Sequence, residues 1–201
     1  DCKSIANAFT DFFANIGHSL ALMISSVNTS SMTFMPPNQE NSIYIDPISS
    51  KEIEEEIDKL DSSKATVPYS ISTKILKLIK YAISKPLETI FNLSLTNGVI
   101  PDYFKLARVI PVFKKGSHFS LNNYCPISLL SVFNRIHKKI IFKRLMNFIV
   151  KNKILYNKQF GFRQKQSTLM VIVSVTDKIK KAIDDGNYAC GIIFLDFTKA
   201  F

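Results

Sequence analysis

The feature that most constrains this chain is a long segment with many positive side chains and no negative ones. Residues 103–176 contain fourteen lysines and arginines and no aspartate or glutamate. Because these cations have no acidic neighbours along the chain, we expect them on a surface that an external polyanion can reach. Further along, a nearly unbroken apolar run over residues 188–195 ends at a single carboxylate, Asp196. The pattern predicts a cationic surface that leads to a candidate ligand for Mg²⁺.

Charge is divided unevenly between the two halves of the chain. Residues 1–102 carry a net charge of −4 and residues 103–201 a net charge of +14, which gives the overall +10. Such a split indicates a nucleic-acid or anionic-membrane partner for the second half. No apolar run approaches the roughly 20 residues of a membrane-spanning helix, so no membrane insertion is expected.

The lack of a secretion signal in this sequence and its cysteine usage indicate an intracellular location. The N-terminus has no signal-peptide pattern. The three cysteines (Cys2, Cys125 and Cys190) are too scattered for a disulfide framework or a metal cluster. We therefore expect an intracellular protein, in the nucleus or the cytoplasm. The chain begins without Met and stops at Phe201, so we also expect it to be part of a longer protein.

Hydrophobic periodicity predicts a helix-rich α+β fold in two parts. Residues 1–48 should form an amphipathic helix over about 3–23 and then a linker rich in Ser, Thr, Asn and Pro. Residues 49–201 should form the main domain. It opens with a helix whose capping box is Ser49 with Glu52, and the glutamates of this helix are expected on a solvated face.

Further elements follow from stop signals and apolar spacing. We expect helices over residues 72–83 and 86–96, an edge strand over 107–113, a helix over about 130–150, a helix from Ser167 or Thr168 to about Asp184, and a strand over 188–195 that is buried on both faces. The apolar residues predicted to face inward on the two later helices are Phe133, Ile136, Ile140, Leu145, Phe148, Leu169, Ile172, Ile179 and Ile183.

Asp196 has two interpretations. Phosphoryl transfer to a 3′-hydroxyl uses two Mg²⁺ ions held by carboxylates, and a strand end is a suitable position for one of them. Asp196 could instead be the N-cap of a following helix. Spacing alone favours the N-cap.

Lys114 and Lys115 lie beside Gly116 in a cationic turn. An ammonium group can act as a point charge for phosphate, so the pair is a candidate triphosphate contact. The alternative is a solvated turn, which the local pattern favours.

Two further groups of cations are candidates for contacts with a nucleic-acid strand. Arg163 follows Phe160 and Phe162, and interleaved aromatic and basic residues can stack a base and hold its phosphate. Equally, the two phenylalanines could be core residues beside an exposed Arg163. The long helix should present an outward stripe of Arg135, Lys139 and Lys143, with Lys138 and Arg144 beside it. The lack of acidic neighbours favours a backbone contact over an ordinary solvated face.

Four segments, in order, resemble a known family. They are FKLARVIPVFKK at 104–115, NYCPISLL at 123–130, QFGFRQKQST at 159–168 and FLDFTKAF at 194–201. Together they closely resemble the reverse transcriptases of non-LTR (LINE-type, jockey-like) retrotransposons, and the resemblance covers about residues 50–201. It implies the fingers of a right-hand polymerase over about 100–187 and the start of the palm over 188–201.

The resemblance also implies roles for individual residues. Asp196 and the backbone carbonyl of Phe197 match metal ligands. Ala200 and Phe201 match positions at the incoming sugar, where an aromatic ring favours deoxynucleotides. The family further implies an RNA template, a DNA primer, a dNTP near Lys114 or Lys115, and Mg²⁺ as cofactor. Arg163 matches a family element that lies near the template or at the junction of fingers and palm, and the Arg135/Lys139/Lys143 stripe is the other candidate contact for template or primer.

The chain departs from the family pattern at several positions. Cys125 stands where relatives carry an arginine expected to touch the triphosphate, and a thiol cannot replace its paired donors. Val67 and Ser72 stand where relatives often have Gly and Pro. The chain also stops before the aromatic-x-Asp-Asp turn that supplies further carboxylates, so we expect it to bind nucleic acid without polymerising. A non-catalytic nucleic-acid-binding relic or repurposed module, and a helical protein-interaction domain, remain alternatives.

Overall fold

The computed structural model describes residues 1–24, 30–34, 41–62, 71–186, 191 and 193–195. These residues form a helix-rich structure with one small antiparallel sheet, which confirms the α+β class. The elements in chain order are α1 (Cys2–Leu22), a 3₁₀ turn (Ser31–Phe34), α2 (Ser50–Asp58), α3 (Thr73–Leu78), α4 (Lys80–Asn97), α5 (Asp102–Lys105), β1 (Ala107–Phe113), a 3₁₀ turn (Leu121–Asn123), β2 (Tyr124–Leu130), α6 (Val132–Lys151) and α7 (Thr168–Asp184).

The chain divides into two compact units, residues 1–148 and residues 149–201. The hydrophobic core of the first unit is formed by α2, α3, α4, α5 and α6 with the segment before α2. Its members are Ile48, Ile53, Ile57, Leu60, Leu76, Leu87, Phe91, Phe104, Val132, Ile136 and Ile140. None of the described helices is long and apolar enough to cross a membrane.

Local signals set several helix ends. The Ser49 hydroxyl accepts a hydrogen bond from the Glu52 N–H (3.3 Å), as the capping box predicts. Gly98 ends α4 in the left-handed conformation, which glycine adopts without steric penalty. Ser167 caps α7 by accepting from the Met170 N–H (3.4 Å).

The expected helix start at Pro86 is wrong, because Pro86 lies inside α4. A proline ring removes one helical hydrogen bond and disfavours a helical conformation in the residue before it. The same helix buries Leu87 and Phe91 in the core. Burial of these two side chains outweighs the local preference, and the break occurs instead at Ile79, between α3 and α4.

The strand β2 was not predicted from the sequence. It pairs with β1 in a register that sets Pro111 opposite Pro126. Neither proline has an N–H, so the two can face each other only at a non-hydrogen-bonded position of the ladder. That position agrees with the hydrogen bond from the Lys114 N–H to the Asn123 carbonyl (2.8 Å), three pairs further along.

Two predictions of burial are wrong for the residues that the structure describes. Leu169, Ile172 and Ile183 of α7 are exposed, and Leu145 of α6 is 41 % exposed. Ile193, Phe194 and Leu195 lie outside any strand and are more than four-fifths exposed. A central strand is buried only when neighbours cover both faces and both edges. The described part of the chain supplies no such neighbours.

Candidate nucleic-acid interface

The turn of the β1–β2 hairpin holds Lys114 and Lys115 on an ordered backbone. Gly116 has a φ of +94°, and a Cβ at this position would lie 2.7 Å from Nδ2 of Asn123. The Asn123 amide in turn donates to the Ser117 carbonyl (2.8 Å). Glycine is therefore required both by the backbone angle and by the close approach of Asn123. Both lysines are exposed at this turn.

Aromatic rings brace the same turn. His118 stacks on Phe113 with ring centroids 3.8 Å apart. The Tyr124 hydroxyl donates to the His118 carbonyl (3.0 Å). Since Phe113 and Tyr124 are paired across the ladder, these contacts anchor the turn to the strand ends.

The two faces of the hairpin have different environments. Helix α1 lies against the face of Val109, Pro111 and Tyr124, where the Phe9 and Tyr124 rings are 4.8 Å apart. The opposite face carries Arg108, Ile110, Val112, Cys125, Ile127 and Leu129, as the register and strand alternation require. Ile110, Val112 and Ile127 are exposed there. We refer to this surface, formed by the outward side chains of residues 108, 110, 112, 125, 127 and 129, as the open face.

Cys125 lies on the open face, directly opposite Val112. The hydrogen bond between Lys114 and Asn123 extends the ladder by one step, so alternation places the Lys114 side chain on this face too. The structure thus places Lys114 and Cys125, which are eleven residues apart in the sequence, on the same face of the hairpin.

Helix α6 presents the predicted cationic stripe. Lys139 and Lys143 are exposed and Arg135 is half-buried. Their spacing of four residues places them along one side of the helix. Phe142, also exposed, lies beside them. This stripe belongs to a different element from the hairpin turn.

Most cations of the acid-free segment have no acidic partner in the part of the chain that the structure describes. Of the fourteen, Lys105 pairs with Asp102 (2.8 Å) and Arg144 pairs with Glu52 (2.6 Å). The other twelve form no ion pair with any residue that the structure describes. The positive charge of this segment is therefore largely uncompensated by ion pairs among the described residues.

Arg144, which the sequence groups with the cationic stripe, forms internal contacts. Its guanidinium pairs with Glu52 and donates to the carbonyls of Asp46 and Pro47, the latter at 3.1 Å. Arg144 ties α6 to the chain that enters α2. Glu52 is consequently not part of a purely solvated face, and Glu56 is buried and paired with Lys59 (2.6 Å).

Arg163 lies in a loop of the second unit. It is half-buried, and its guanidinium donates to the Tyr156 carbonyl (3.4 Å). Phe162 is 90 % exposed, whereas Phe160 is half-buried. The alternative in which both phenylalanines are core residues is therefore wrong for Phe162.

The remaining predicted site residues (Asp196, Phe197, Ala200 and Phe201) lie outside the described residues. Within the part that is described, no three His, Cys, Asp or Glu side chains form a group that could hold a metal ion. The open face was not predicted, because its second strand (residues 124–130) has no strand signal strong enough to recognise from local sequence. The signal that could have found it is the apolar residues on both sides of Pro126, opposite a matching run around Pro111.

No protein-family model matches the chain. The chain is similar to three curated proteins. It is 33 % identical over 161 residues to the "Probable RNA-directed DNA polymerase from transposon BS" of Drosophila melanogaster, which covers 80 % of this chain and 18 % of that protein. It is 27 % identical over 190 residues to the "RNA-directed DNA polymerase from mobile element jockey" of Drosophila funebris, with 94 % of this chain and 20 % of the relative covered. It is 27 % identical over 158 residues to the "Probable RNA-directed DNA polymerase from transposon X-element" of Drosophila melanogaster, with 78 % and 17 % covered.

These matches extend over most of the chain but only about a fifth of each relative's length. The chain is thus a homologue of one segment of the RNA-directed DNA polymerases of non-LTR transposable elements.

Proposed function

We propose that this chain is the fingers region, with the start of the palm, of a mobile-element RNA-directed DNA polymerase. In this role it holds an RNA template, a DNA primer and the phosphates of an incoming dNTP. The observation that carries the proposal is the set of twelve cations that have no acidic partner among the described residues, two of which are fixed at the hairpin turn. Unpaired lysines and arginines supply the non-specific affinity of proteins for phosphate backbones.

The residues have separate roles in this proposal. Lys114 and Lys115 contact the triphosphate at the hairpin turn. Arg135, Lys139 and Lys143 follow the template or primer backbone, while Arg163 orders the loop that faces the template. Ala200 and Phe201 lie at the incoming sugar, and Asp196 with the Phe197 carbonyl are metal ligands.

A site for two Mg²⁺ ions does not fit the residues that the structure describes. Mg²⁺ requires near-octahedral oxygen coordination from several groups, and the described residues provide no acidic cluster. We therefore propose that the 201-residue chain binds nucleic acid but does not extend a primer, and that polymerisation belongs to the longer polypeptide of which the relatives are examples.

A salt titration tests the binding proposal. Fluorescence anisotropy of a labelled single-stranded RNA should give a log Kd that varies linearly with log salt, with a slope of about 0.7 per phosphate contact. The variant K139Q/K143Q, which removes two exposed charges of the α6 stripe, should reduce the slope by about 1.4. Lys51→Gln, an exposed lysine on the acidic helix α2, is the matched control. A slope near zero would favour the protein-interaction alternative.

Primer extension tests the second part. With Mg²⁺, dNTPs and an annealed RNA template, the chain should leave the primer at its original length. Template-dependent incorporation would overturn the proposal that it is catalytically incomplete.

A further inference from the structure

We infer that the second unit contains a subsite for one unpaired nucleotide of a single strand, between the loop at residues 157–166 and helix α7. The inference rests on the proposed function, because it names where that strand is held by this part of the chain. It is carried by a cavity, three lysines, a buried amide oxygen and an exposed aromatic ring.

The cavity has a volume of about 670 Å³, within the range of small-molecule sites. Its apolar wall is formed by Phe160 from the loop and by Leu169, Met170 and Val173 from α7. An aromatic ring in an apolar cleft binds the flat face of a base without selecting its sequence.

Cations surround this apolar wall. Lys158, Lys178 and Lys181 line the cavity and are exposed, and Asp177 is the acidic residue among the lining side chains. None of the three lysines forms an ion pair with a residue in the described ranges. An apolar cleft with uncompensated positive charge at its edge suits a ligand with an apolar face and an anionic group, as a nucleotide has.

Gln166 adds a hydrogen-bonding group. Its Oε1 atom is buried and, within the described part of the molecule, has no hydrogen-bond partner. A buried acceptor without a partner is unfavourable. Gln166 lines this cavity as well as an adjoining one of about 460 Å³. A rotation of the Gln166 side chain toward the cleft would let the exocyclic amine of a base satisfy it.

The loop backbone holds an aromatic ring in solvent. Phe162 and Lys165 have φ values of 57° and 61°. These lie in the left-handed region, which residues other than glycine rarely adopt. Phe162, 90 % exposed, lies with Arg163 at the adjoining cavity. Strained residues of this kind cluster at binding sites. Phe162 is accordingly placed to stack the neighbouring base of the same strand.

Crosslinking tests the subsite. A 12-nucleotide RNA with a single 4-thiouridine is irradiated with the 201-residue chain, and crosslinked peptides are mapped by mass spectrometry. We expect crosslinks within residues 157–173. In anisotropy with the same RNA, Phe160→Leu should weaken binding by about tenfold. K178Q/K181Q should weaken it and reduce the salt slope by about 1.4.

Matched variants separate local from general effects. Tyr44→Leu removes an exposed aromatic ring in the first unit, and Lys51→Gln removes one charge there; both should bind as the parent chain does. Circular dichroism checks that Phe160→Leu remains folded. Gln166→Leu, which removes the buried amide, should weaken binding without altering the salt slope.

The outcomes distinguish the two proposals. If the RNA binds with a salt-dependent Kd but crosslinks only to the first unit, and the second-unit variants bind normally, the subsite is overturned and the proposed function stands. If no RNA binds, both fail. If uridine monophosphate displaces the RNA at equal concentration, the cavity is a site for a free nucleotide, and the inference of a strand subsite is overturned.

Discussion

The side-chain amide of Asn92 in α4 forms two hydrogen bonds with the backbone of Ile48. Its Oδ1 accepts from the Ile48 N–H (2.7 Å) and its Nδ2 donates to the Ile48 carbonyl (2.9 Å). An amide that bonds both groups of one residue replaces the partner that a neighbouring strand would supply. This allows Ile48 to be buried at the edge of the core although it lies in no helix or strand.

Asn92→Ala should lower the free energy of unfolding by about 1–3 kcal/mol, because it leaves the two backbone groups of Ile48 without partners. Urea denaturation measures the change. Asn97→Ala, an exposed position at the end of the same helix, should stay within about 0.5 kcal/mol of the parent. Equal stabilities of the two variants would contradict the role of Asn92.

Because of Glu88, the stability of the folded chain should depend on pH in the acid range. The Lys85 ammonium (2.7 Å), together with the Ser50 hydroxyl and N–H, lowers the pKa of Glu88 from 4.5 to about 2. A carboxyl whose pKa is lower in the folded chain contributes stability above pH 4.5, and this contribution is lost as the pH falls towards 2. The difference in unfolding free energy between the parent and Glu88→Gln should therefore shrink over that interval. A difference that is constant from pH 6 to pH 2.5 would argue against it.

Protonation of His137 should destabilise the fold, whereas protonation of a salt-bridged histidine stabilises it. It is buried beside the Phe91 ring (4.6 Å between centroids), and burial lowers its pKa below 6.5. Its Nε2 has no partner among the described residues. Because the unfolded chain then binds the proton more readily, stability should fall as the pH drops below 6.5. His137→Leu should lose this decline in thermal melts between pH 7.5 and 5.5, whereas the exposed His18→Gln should retain it.

Gly116→Ala should disrupt the hairpin turn. The Cβ would approach Asn123 to 2.7 Å at a φ of +94°, so we expect a loss of more than about 1 kcal/mol in stability. Affinity for dTTP should fall as well, since Lys114 and Lys115 lose their fixed backbone. Gly17→Ala, a helical position with open space around it, should leave stability unchanged or raise it by up to about 1 kcal/mol. A G116A variant as stable as G17A would refute the constraint.

Cys125→Arg should strengthen binding of a triphosphate at the open face. The substitution restores the arginine implied by the family resemblance, opposite Val112 and near the turn lysines. A charge-assisted hydrogen bond of roughly 1.5 kcal/mol corresponds to about tenfold in Kd. Calorimetry with dTTP measures it. Thr89→Arg, exposed on α4, adds the same charge elsewhere. An equal gain in dTTP affinity from both variants would show that the gain comes from net charge and not from the position of the arginine.

The long helices could be predicted because their signals are local. The apolar spacing of α1, the cap at Ser49 and the αL glycine at Gly98 each act within a few residues, and the structure confirms them. The predicted helix start at Pro86 is wrong and β2 was not predicted, because the helical conformation at Pro86 and the pairing of β2 both depend on contacts between residues distant in sequence. Burial of Phe91 keeps α4 helical, and β1 supplies the only partner of β2 among the described residues.

The same division holds for the candidate site. The sequence by itself determined the excess of cations over residues 103–176 and the cysteine at 125, since these are matters of residue type. Tertiary structure decided which of the cations are used internally. Arg144 lies within reach of Glu52, 92 residues away, and is neutralised there, whereas Lys139 and Lys143 on the same helix face solvent. Charge is a property of the side chain, but its availability to a phosphate depends on which distant groups the fold brings beside it.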